Sequence, residues 1–565
     1  MSDRALPSPG RRLRLPDVIT YDERPDAEED KLDRMGRKML GAVMSRGSAF
    51  RSRRSGPILR SVRRHAKGLD TLDDLAIKAR ARGLRADLRQ ALLSGSPDAA
   101  ALGPSFALVR EVASRTLGMA HYDVQILGAF AMMQGQIAEM RTGEGKTLGA
   151  TLATATMALA GVPVHVITVN DYLAERDAEL MQPLYAFLGL DVGVILEGQS
   201  EAERQKIYKC AIVHGSNKEI AFDYLRDRMV LRRQPGNMRR KVERITGAQI
   251  GGALRMNGLH FALIDEADSV LIDEARTPLV ISGAIMQGQG QDIAMFENAM
   301  AAARQLQEGP DYKVLANERR VVVSNKGLTR LDEMGEDSDG AFAVPVIREQ
   351  AVVQALTALH LFHRDEDYIV REGAVQIVDE NTGRVQEDRS WSEGLHQMIE
   401  LKEGLELSEP RETLSRITYQ RFFRRYGKVA GMTGTARDAA WELYSVYGLK
   451  VARIPTNRPD IRRFARDLVL KTQQQKWRAI AERTASLSER KIPVLIGTRS
   501  VAASEAASAA LDQRGVTHEI LNARQDADEA AVIARAGQPG AVTVATNMAG
   551  RGTDIKLGTG VAALG

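Results

Sequence analysis

The chain has 565 residues, 44% hydrophobic and 27% charged, which is enough for several hydrophobic cores and, at ordinary domain sizes, for three or four domains. Its single cysteine, Cys210, excludes an intramolecular disulfide framework and a zinc site built from several cysteines, and it fits a reducing cytoplasm. Residues 1–33 mix acidic and basic groups without an apolar core, so we expect no secretory signal peptide there.

Basic residues are concentrated in one part of the chain. Residues 34–69 contain eleven Lys and Arg residues and no Asp or Glu. Because the formal net charge of the whole chain is +5, the remainder carries −6. A basic segment on an acidic protein is typical of binding to phosphate groups, either on an anionic lipid surface or on RNA. A solvated arm without a partner fits the same pattern.

Residues 1–100 are predicted to form a basic, helical N-terminal extension, and an α/β pattern begins near residue 105. The stretch 147–170 has no charged residue, but Gly161 and Pro163 interrupt it. We therefore predict a buried helix followed by a buried strand, rather than a membrane-spanning helix. Runs rich in Val and Ile are predicted as strands of a mostly parallel sheet at 164–169, 193–198, 210–215 and 260–268.

The pattern changes after residue 283 to that of an α+β insertion. A Gly/Gln-rich linker covers 284–292, and one hairpin is predicted within "YKVLANERRVVVSNKG" and another at 367–385. A second α/β unit begins after "IPTNRPD" at 454–460. Its predicted strands are 494–498 and 542–547.

The string "TGEGKT" is predicted to bind the phosphates of a nucleotide. Gly143 and Gly145, on either side of Glu144, allow backbone N–H groups to approach the phosphates at the N-terminus of a helix. Lys146 is predicted to contact the β- and γ-phosphates, and Thr147 to ligate Mg²⁺.

An acidic motif follows a second apolar strand, 118 residues after Thr147. In "LHFALIDEADSV", Asp265 can hold Mg²⁺ at the end of a buried strand, and Glu266 can orient and deprotonate the attacking water. A surface acidic cluster is the alternative, but it fits poorly with the four apolar residues before Asp265. The two motifs together predict ATP hydrolysis, with ATP and Mg²⁺ as ligands.

Three weaker signals gain weight from their positions relative to these motifs. Gln125, upstream of the phosphate loop, can read the adenine edge with its amide donor and acceptor. "AGMTGTA" at 430–436 is a Thr-rich turn that can report the nucleotide state, and "ATNMAGRGTDI" at 545–555 places Arg551 and Asp554 where they can face the nucleotide. Taken alone, each is better explained as an ordinary surface residue or an ordinary Gly-rich loop.

From about residue 105 to 565 the chain resembles the SecA family, the ATPases of bacterial preprotein translocation. The resemblance implies an α/β fold with two RecA-like nucleotide-binding lobes of the superfamily-two helicase type and an inserted α+β preprotein cross-linking domain. The resemblance rests on the strings "MRTGEGKTL", "ITVNDYLAERDAE" (167–179), "FDYLRDRM" (222–229), "DEADSVLIDEARTPLVISG" (265–283), "TGRVQEDRSWSEGLHQMIELKEG" (382–404), "GMTGTA", "IPTNRP" and "ATNMAGRGTDIKLG".

The domain organisation expected from this resemblance has five segments. An inserted domain agrees with the long spacing between two motifs, since 162 residues separate Asp268 from Gly431. The segments are the extension 1–100, the first part of nucleotide-binding lobe 1 at 101–283, the inserted domain at 284–383, the return to lobe 1 at 384–455, and nucleotide-binding lobe 2 at 456–565.

The resemblance also implies the function, partners and location. It implies an ATP-driven motor that moves unfolded preproteins through the SecYEG channel from the cytoplasm, associated peripherally with the inner face of the bacterial membrane. Residues 34–69 would contact anionic phospholipid, and a homodimer is compatible with the family. The implied nucleotide contacts are Gln125, Gly143, Glu144, Gly145, Lys146, Thr147, Asp265, Glu266, Arg551 and Asp554. Among them, the expected catalytic residues are Lys146, Asp265, Glu266 and Arg551. The expected metal ligands are Thr147 and Asp265.

The sequence departs from the family at two places. Residues 231–259 are more extended and basic than the corresponding connection, and we assign them no role. No Q-x-x-G-R-x-G-R string is present, and the arginines of that family motif stabilise charge on the transferring phosphate, so we expect weak intrinsic hydrolysis.

Two alternatives stay open. A nucleic-acid helicase of the same superfamily is disfavoured, because "TVNDYLAERD" stands where helicases carry a "PTREL"-like segment and the insertion has no obvious aromatic stacking platform. A shortened relative or adaptor that binds nucleotide with little turnover is the second.

Overall fold

A computed structural model of the chain describes two units. The described residues are 21, 23–24, 52–95, 97–233, 254–256, 258–275, 278–284, 293–315, 319–335, 338, 340–371, 373–378, 385–386, 391, 394–408, 411–521, 529–546 and 555–563. The first unit comprises the described residues up to Ile281 together with Ser415–Phe464, and the second comprises Ser282–Leu414 and the described residues from Ala465 onward.

The secondary-structure elements alternate between helices and short strands through most of the chain. The strands are β1 Gln136–Glu139, β2 Val164–Thr168, β3 Val192–Ile195, β4 Ile212–Ser216, β5 Phe261–Ile264, β6 Pro278–Ala284, β7 Tyr312–Leu315, β8 Arg320–Val323, β9 Tyr368–Arg371, β10 Ala374–Val378, β11 Val385–Gln386, β12 Arg411–Thr418, β13 Lys428–Thr433, β14 Lys450–Arg453, β15 Val494–Thr498, β16 Glu519–Leu521 and β17 Val542–Thr546. The helices are α1 Ser52–Ala66, α2 Asp74–Leu93, α3 Ala99–Leu117, α4 Asp123–Met133, α5 Lys146–Leu159, α6 Asp171–Phe187, α7 Glu201–Ile207, α8 Asn217–Arg233, α9 Ile293–Gln305, α10 Asn325–Gly335, α11 Pro345–Leu361, α12 Leu395–Glu403, α13 Tyr419–Phe423, α14 Ala440–Glu442, α15 Gln473–Glu489, α16 Val501–Asp512 and α17 Glu529–Ala536.

The first unit is built on a seven-stranded parallel sheet in the order β14-β1-β13-β5-β2-β4-β3. The four strands predicted from Val- and Ile-rich runs are β2, β3, β4 and β5, so the predicted parallel sheet is confirmed. The uncharged stretch 147–170 is also confirmed as the buried helix α5 followed by the buried strand β2. In the part of the chain that the structure describes, no helix is long and apolar enough to cross a membrane.

Both faces of this sheet are covered, because strand side chains alternate between two hydrophobic cores. In β5, Leu263 joins one core, whereas Ala262 and Ile264 join the other. Four histidines, hereafter the buried histidines, lie inside this unit with at most 5% of their surface exposed: His121, His165, His214 and His260.

The helical extension before the sheet contributes to its packing. Ile58 and Val62 of α1 are fully buried in the same core as Phe106 of α3. The basic residues Arg60, Arg63 and Arg64 lie on the exposed side of α1. The described part of residues 1–100 therefore packs against the first lobe through one apolar helix face.

The inserted part of the second unit has its own core, formed by the helices α9, α11 and α12 with the hairpin strands. The two predicted hairpins are confirmed as the antiparallel pairs β7–β8 and β9–β10. The chain enters this part through β6 and leaves it through β12, and these two strands pair. Because α12 buries Leu395, Met398 and Ile399 in this core, the packing of the insertion continues beyond the predicted boundary at residue 383.

The remaining part of the second unit is a smaller α/β sheet. Its strands run parallel in the order β15-β17-β16, with α15, α16 and α17 beside them. β15 and β17 correspond to the predicted strands 494–498 and 542–547.

Candidate functional site

The phosphate loop connects β1 to α5 at the carboxyl edge of the parallel sheet. Gly143 and Gly145 have φ angles of 85° and 72°, in the left-handed region that side-chain-bearing residues rarely adopt. Gly145 caps α5, which begins at Lys146. The loop therefore has the backbone conformation and the helix N-terminus that the phosphate-binding prediction requires.

Lys146 and Glu266 meet in a buried ion pair across the predicted site. The Lys146 Nζ donates to Glu266 Oε1 at 2.7 Å, and the two side chains are 14% and 7% exposed. Burial lowers the pKa of Lys146, but the carboxylates of Asp265 and Glu266 outweigh burial and hold the pKa above its ordinary value. Lys146 is therefore a charged ammonium group that faces the acidic motif.

The acidic motif begins directly after β5. The Asp265 N–H donates to the Ile167 carbonyl of β2 at 2.8 Å, and the Asp265 carboxylate accepts the Glu266 N–H at 2.8 Å. Glu266 has a φ of 45°, a conformation that costs free energy for a residue with a side chain and is typical of functional sites. Burial, followed by the charge of Glu266, raises the pKa of Asp265, and Lys146 opposes that increase.

Asp268, the last residue of the motif, connects it to the Thr-rich turn after β13. Its two carboxylate oxygens accept hydrogen bonds from Thr433 Oγ1 at 2.6 Å and from Thr435 Oγ1 at 2.5 Å. The predicted segment 430–436 is thus in direct contact with the acidic motif, which is the contact that a sensor of nucleotide state requires. The sensor role itself stays a prediction.

Gln125 lies against the phosphate loop. Its side-chain oxygen accepts the Tyr122 N–H at 2.9 Å, and its Nε2 donates to the carbonyls of Glu144 at 2.9 Å and Gly145 at 3.1 Å. The structure therefore brings Gln125 to the predicted site, where it fastens the loop to α4. Its contact with adenine stays a prediction.

The residues present fit Mg²⁺. Thr147 and Asp265 line one cavity beneath the phosphate loop and supply the hydroxyl and carboxylate oxygens that this cation prefers. Within the described ranges, no group of three or more His, Cys, Asp or Glu side chains is placed to hold a metal. Mg²⁺ usually keeps several of its waters and is bound through one or two carboxylates.

Other predicted residues lie outside the described ranges. Arg551 and Asp554 are among them, as are residues 34–51 of the basic segment and most of 231–259. The roles of these residues stay predictions.

Sequence reasoning missed five polar residues that line the same cavity: Thr154, Thr168, Asp177, Tyr185 and His214. Asp177 offers a signal that could have found it. It follows Leu173 and Ala174 on the apolar face of α6, where an acidic residue is unexpected. Thr168 and His214 lie inside strands and carry no comparable signal.

Two family models match the chain. The SecA DEAD-like domain matches residues 40–444, and the SecA P-loop domain matches residues 459–564. The first match spans the phosphate loop and the acidic motif, and the second covers the smaller α/β sheet. The chain thus has two RecA-like lobes of the helicase type.

Similar proteins are found in several bacteria. "Protein translocase subunit SecA 2" of Bordetella avium is 49% identical over 545 residues, covering 96% of this chain and 81% of that protein. The protein of the same name in Nitrosospira multiformis is 44% identical over 550 residues, covering 96% and 80%. "Protein translocase subunit SecA" of Solidesulfovibrio magneticus is 44% identical over 510 residues, covering 90% of this chain and 58% of that protein.

Proposed function

The chain belongs to the SecA family, and from this we propose that it couples ATP binding and hydrolysis to the movement of unfolded preproteins through the SecYEG channel. The chain is an ATPase of the family's DEAD-like and P-loop type. The observation that best supports our assignment of its active site is the buried contact between Lys146 and Glu266, next to Asp265.

We propose that this ion pair is exchanged when ATP binds. The Lys146 ammonium moves to the β- and γ-phosphates, whose negative charge replaces that of Glu266. The Glu266 carboxylate then accepts a proton from the attacking water. The hydrogen bonds of Asp268 with Thr433 and Thr435 then couple nucleotide hydrolysis to the conformation of the turn after β13.

Thr147 and Asp265 would hold Mg²⁺, which when bound neutralises charge on the β- and γ-phosphate oxygens. Arg551 and Asp554 are proposed to contact the nucleotide from the second lobe. Gln125 is proposed to exchange its backbone partners for the adenine edge.

The inserted part of the second unit is proposed to grip the unfolded polypeptide. Strand addition to an exposed sheet edge binds peptide with little sequence preference, because backbone groups supply the hydrogen bonds. ATP turnover at the first lobe would alternate grip and release.

The basic segment is proposed to hold the protein at the inner face of the cell membrane, from the cytoplasmic side. In helix α1, Arg60, Arg63 and Arg64 are exposed, and attraction to anionic lipid is worth about 1 kcal/mol per basic residue near the surface. Reversing six charges should abolish co-sedimentation with anionic vesicles, with zwitterionic vesicles as the control, and unchanged co-sedimentation would contradict this role. The substitutions are to Glu at Arg51, Arg53, Arg54, Arg60, Arg63 and Arg64.

The decisive experiment compares two activators of the ATPase. We expect an unfolded preprotein with SecYEG-containing vesicles to raise the steady-state ATPase rate, and polynucleotide to leave it unchanged. Stimulation by polynucleotide alone would favour a helicase. Tight ATP binding with no stimulation by either activator would favour an adaptor.

A further inference from the structure

A cavity between the sheet and helices α5 and α6 lies directly behind the metal-binding residues. Thr147 and Asp265 form its side nearest the nucleotide site, and Thr168, Asp177 and His214 form other parts of its wall. All five belong to the first unit. Asp265 therefore shares a cavity with other polar residues, in a wall that also includes Leu173, Met181 and Met432.

Polar atoms without a hydrogen-bond partner lie in this wall, and two of them carry the argument. The Thr168 Oγ1 and the His214 Nε2 are buried without a donor or acceptor, and each residue is 3% exposed. Burial lowers the pKa of His214 to about 4, so the ring is neutral at ordinary pH and offers one donor and one acceptor. A buried polar atom without a partner costs about 1–3 kcal/mol, so such atoms are usually bonded to an ordered water.

Asp177 brings a second carboxylate to this cavity. It lies on the buried face of α6, 7% exposed, and its Oδ1 accepts hydrogen bonds from Arg176 at 2.7 and 3.0 Å. Its charge is close enough to Asp265 to act on that carboxylate. Carboxylate, hydroxyl and imidazole groups around one cavity supply the two to four polar partners that a buried water needs.

We propose that ordered water in this cavity joins Asp177 and His214 to Asp265, and that Asp177 is a positioning residue for the metal-binding carboxylate. The water fixes the orientation of Asp265, and the second negative charge strengthens its attraction for Mg²⁺. This inference rests on the proposed function, because it takes Asp265 as a ligand of Mg²⁺.

The first test asks whether the cavity is wet. Thr168→Val replaces the unpartnered hydroxyl by a methyl group of similar size. If the hydroxyl binds water, the variant loses that bond, and we expect the Tm to fall by about 2–4 °C. If the cavity is dry, removing an unsatisfied hydroxyl is neutral or stabilising, so an unchanged or higher Tm would overturn the proposal.

The second test asks whether Asp177 acts through the metal. We expect Asp177→Asn to raise the Mg²⁺ concentration needed for half-maximal tightening of fluorescent ADP binding by about 10-fold. Its affinity for ADP in EDTA should stay within about twofold of the unsubstituted chain. If Asp177 had only a structural role, the substitution would weaken ADP binding both with Mg²⁺ and in EDTA. The matched control is Glu179→Gln, which makes the same charge change at an exposed position of α6.

The outcomes separate this inference from the proposed function. If Mg²⁺ tightens ADP binding equally in the unsubstituted chain and in Asp177→Asn, the positioning role is wrong and the proposed function stands. If Mg²⁺ has no effect on the unsubstituted chain, the metal assignment in the proposed function fails, and the inference fails with it.

Discussion

Replacing Glu266 by Gln should make ATP bind more tightly while turnover is lost. In the structure the Lys146 ammonium is paired with the Glu266 carboxylate at 2.7 Å, so ATP has to displace that carboxylate to reach Lys146. Gln keeps a carbonyl acceptor of similar shape but removes the charge. The competition for Lys146 is thereby weakened, and the general base is removed with it.

The magnitude follows from the burial of the pair. Both side chains are less than 15% exposed, so solvent screens the interaction little. A hydrogen bond between charged groups contributes about 1.5–3 kcal/mol, against about 1 kcal/mol for a neutral one. The difference of about 1 kcal/mol predicts ATP affinity about 5-fold higher in Glu266→Gln. Loss of the general base should lower kcat by about 10²–10⁴-fold.

Equilibrium binding of a fluorescent ATP analogue and single-turnover hydrolysis measure the two effects separately. The Tm without nucleotide should fall, because Lys146 loses its charged partner, and the increase of Tm on adding ATP should be larger than in the unsubstituted chain. The matched control is Glu175→Gln, which makes the same charge change at an exposed position of α6. Weaker ATP binding together with the lower Tm would refute the idea that the ion pair competes with ATP.

Three further predictions concern other parts of the first lobe. Thr435→Val removes one of the two hydroxyl contacts of Asp268. It should lower kcat about 10-fold in single-turnover assays and leave the ATP affinity within about twofold of the unsubstituted chain in equilibrium titrations. Weaker ATP binding at unchanged kcat would contradict this. Gln125→Ala removes the hydrogen bonds to the phosphate loop. It should lower both the ATP affinity and the preference for ATP over GTP in competition titrations. A retained preference for ATP would contradict the adenine contact. Three of the buried histidines, His121, His165 and His214, have pKa values lowered by burial to about 4, 3 and 4, so the unfolded chain binds more protons than the folded chain below pH 6.5. Stability should be intact above that pH and fall as pH decreases towards 4, and a Tm that is flat between pH 7 and 5 would contradict this.

Much of the fold could be predicted because local patterns decide it. The Val- and Ile-rich runs became β2 to β5, since strands buried on both faces of a parallel sheet read as continuous apolar segments. Gly143 and Gly145 marked the phosphate loop, since that backbone conformation is open to few other residues. The strands and the conformation of the phosphate loop could therefore be predicted from the sequence alone.

The packing of α12 and the rear of the site could not be predicted. The apolar residues of helix α12 pack with α9 and α11, an arrangement that depends on tertiary contacts. Similarly, Thr168 and His214 are ordinary strand residues until the sheet places them beside Asp265. Only the three-dimensional arrangement reveals that both side chains share a cavity with the predicted metal ligand.

The central claim is that ATP bound at Lys146 and hydrolysed with Glu266 controls the grip on an unfolded polypeptide. The most direct measurement is the affinity for a labelled unfolded preprotein, followed by fluorescence anisotropy with a non-hydrolysable ATP analogue and with ADP. We predict affinities that differ by at least about 10-fold between the two nucleotides, and a difference that disappears in Lys146→Ala. Equal preprotein affinity in both nucleotide states of the unsubstituted chain would contradict the account.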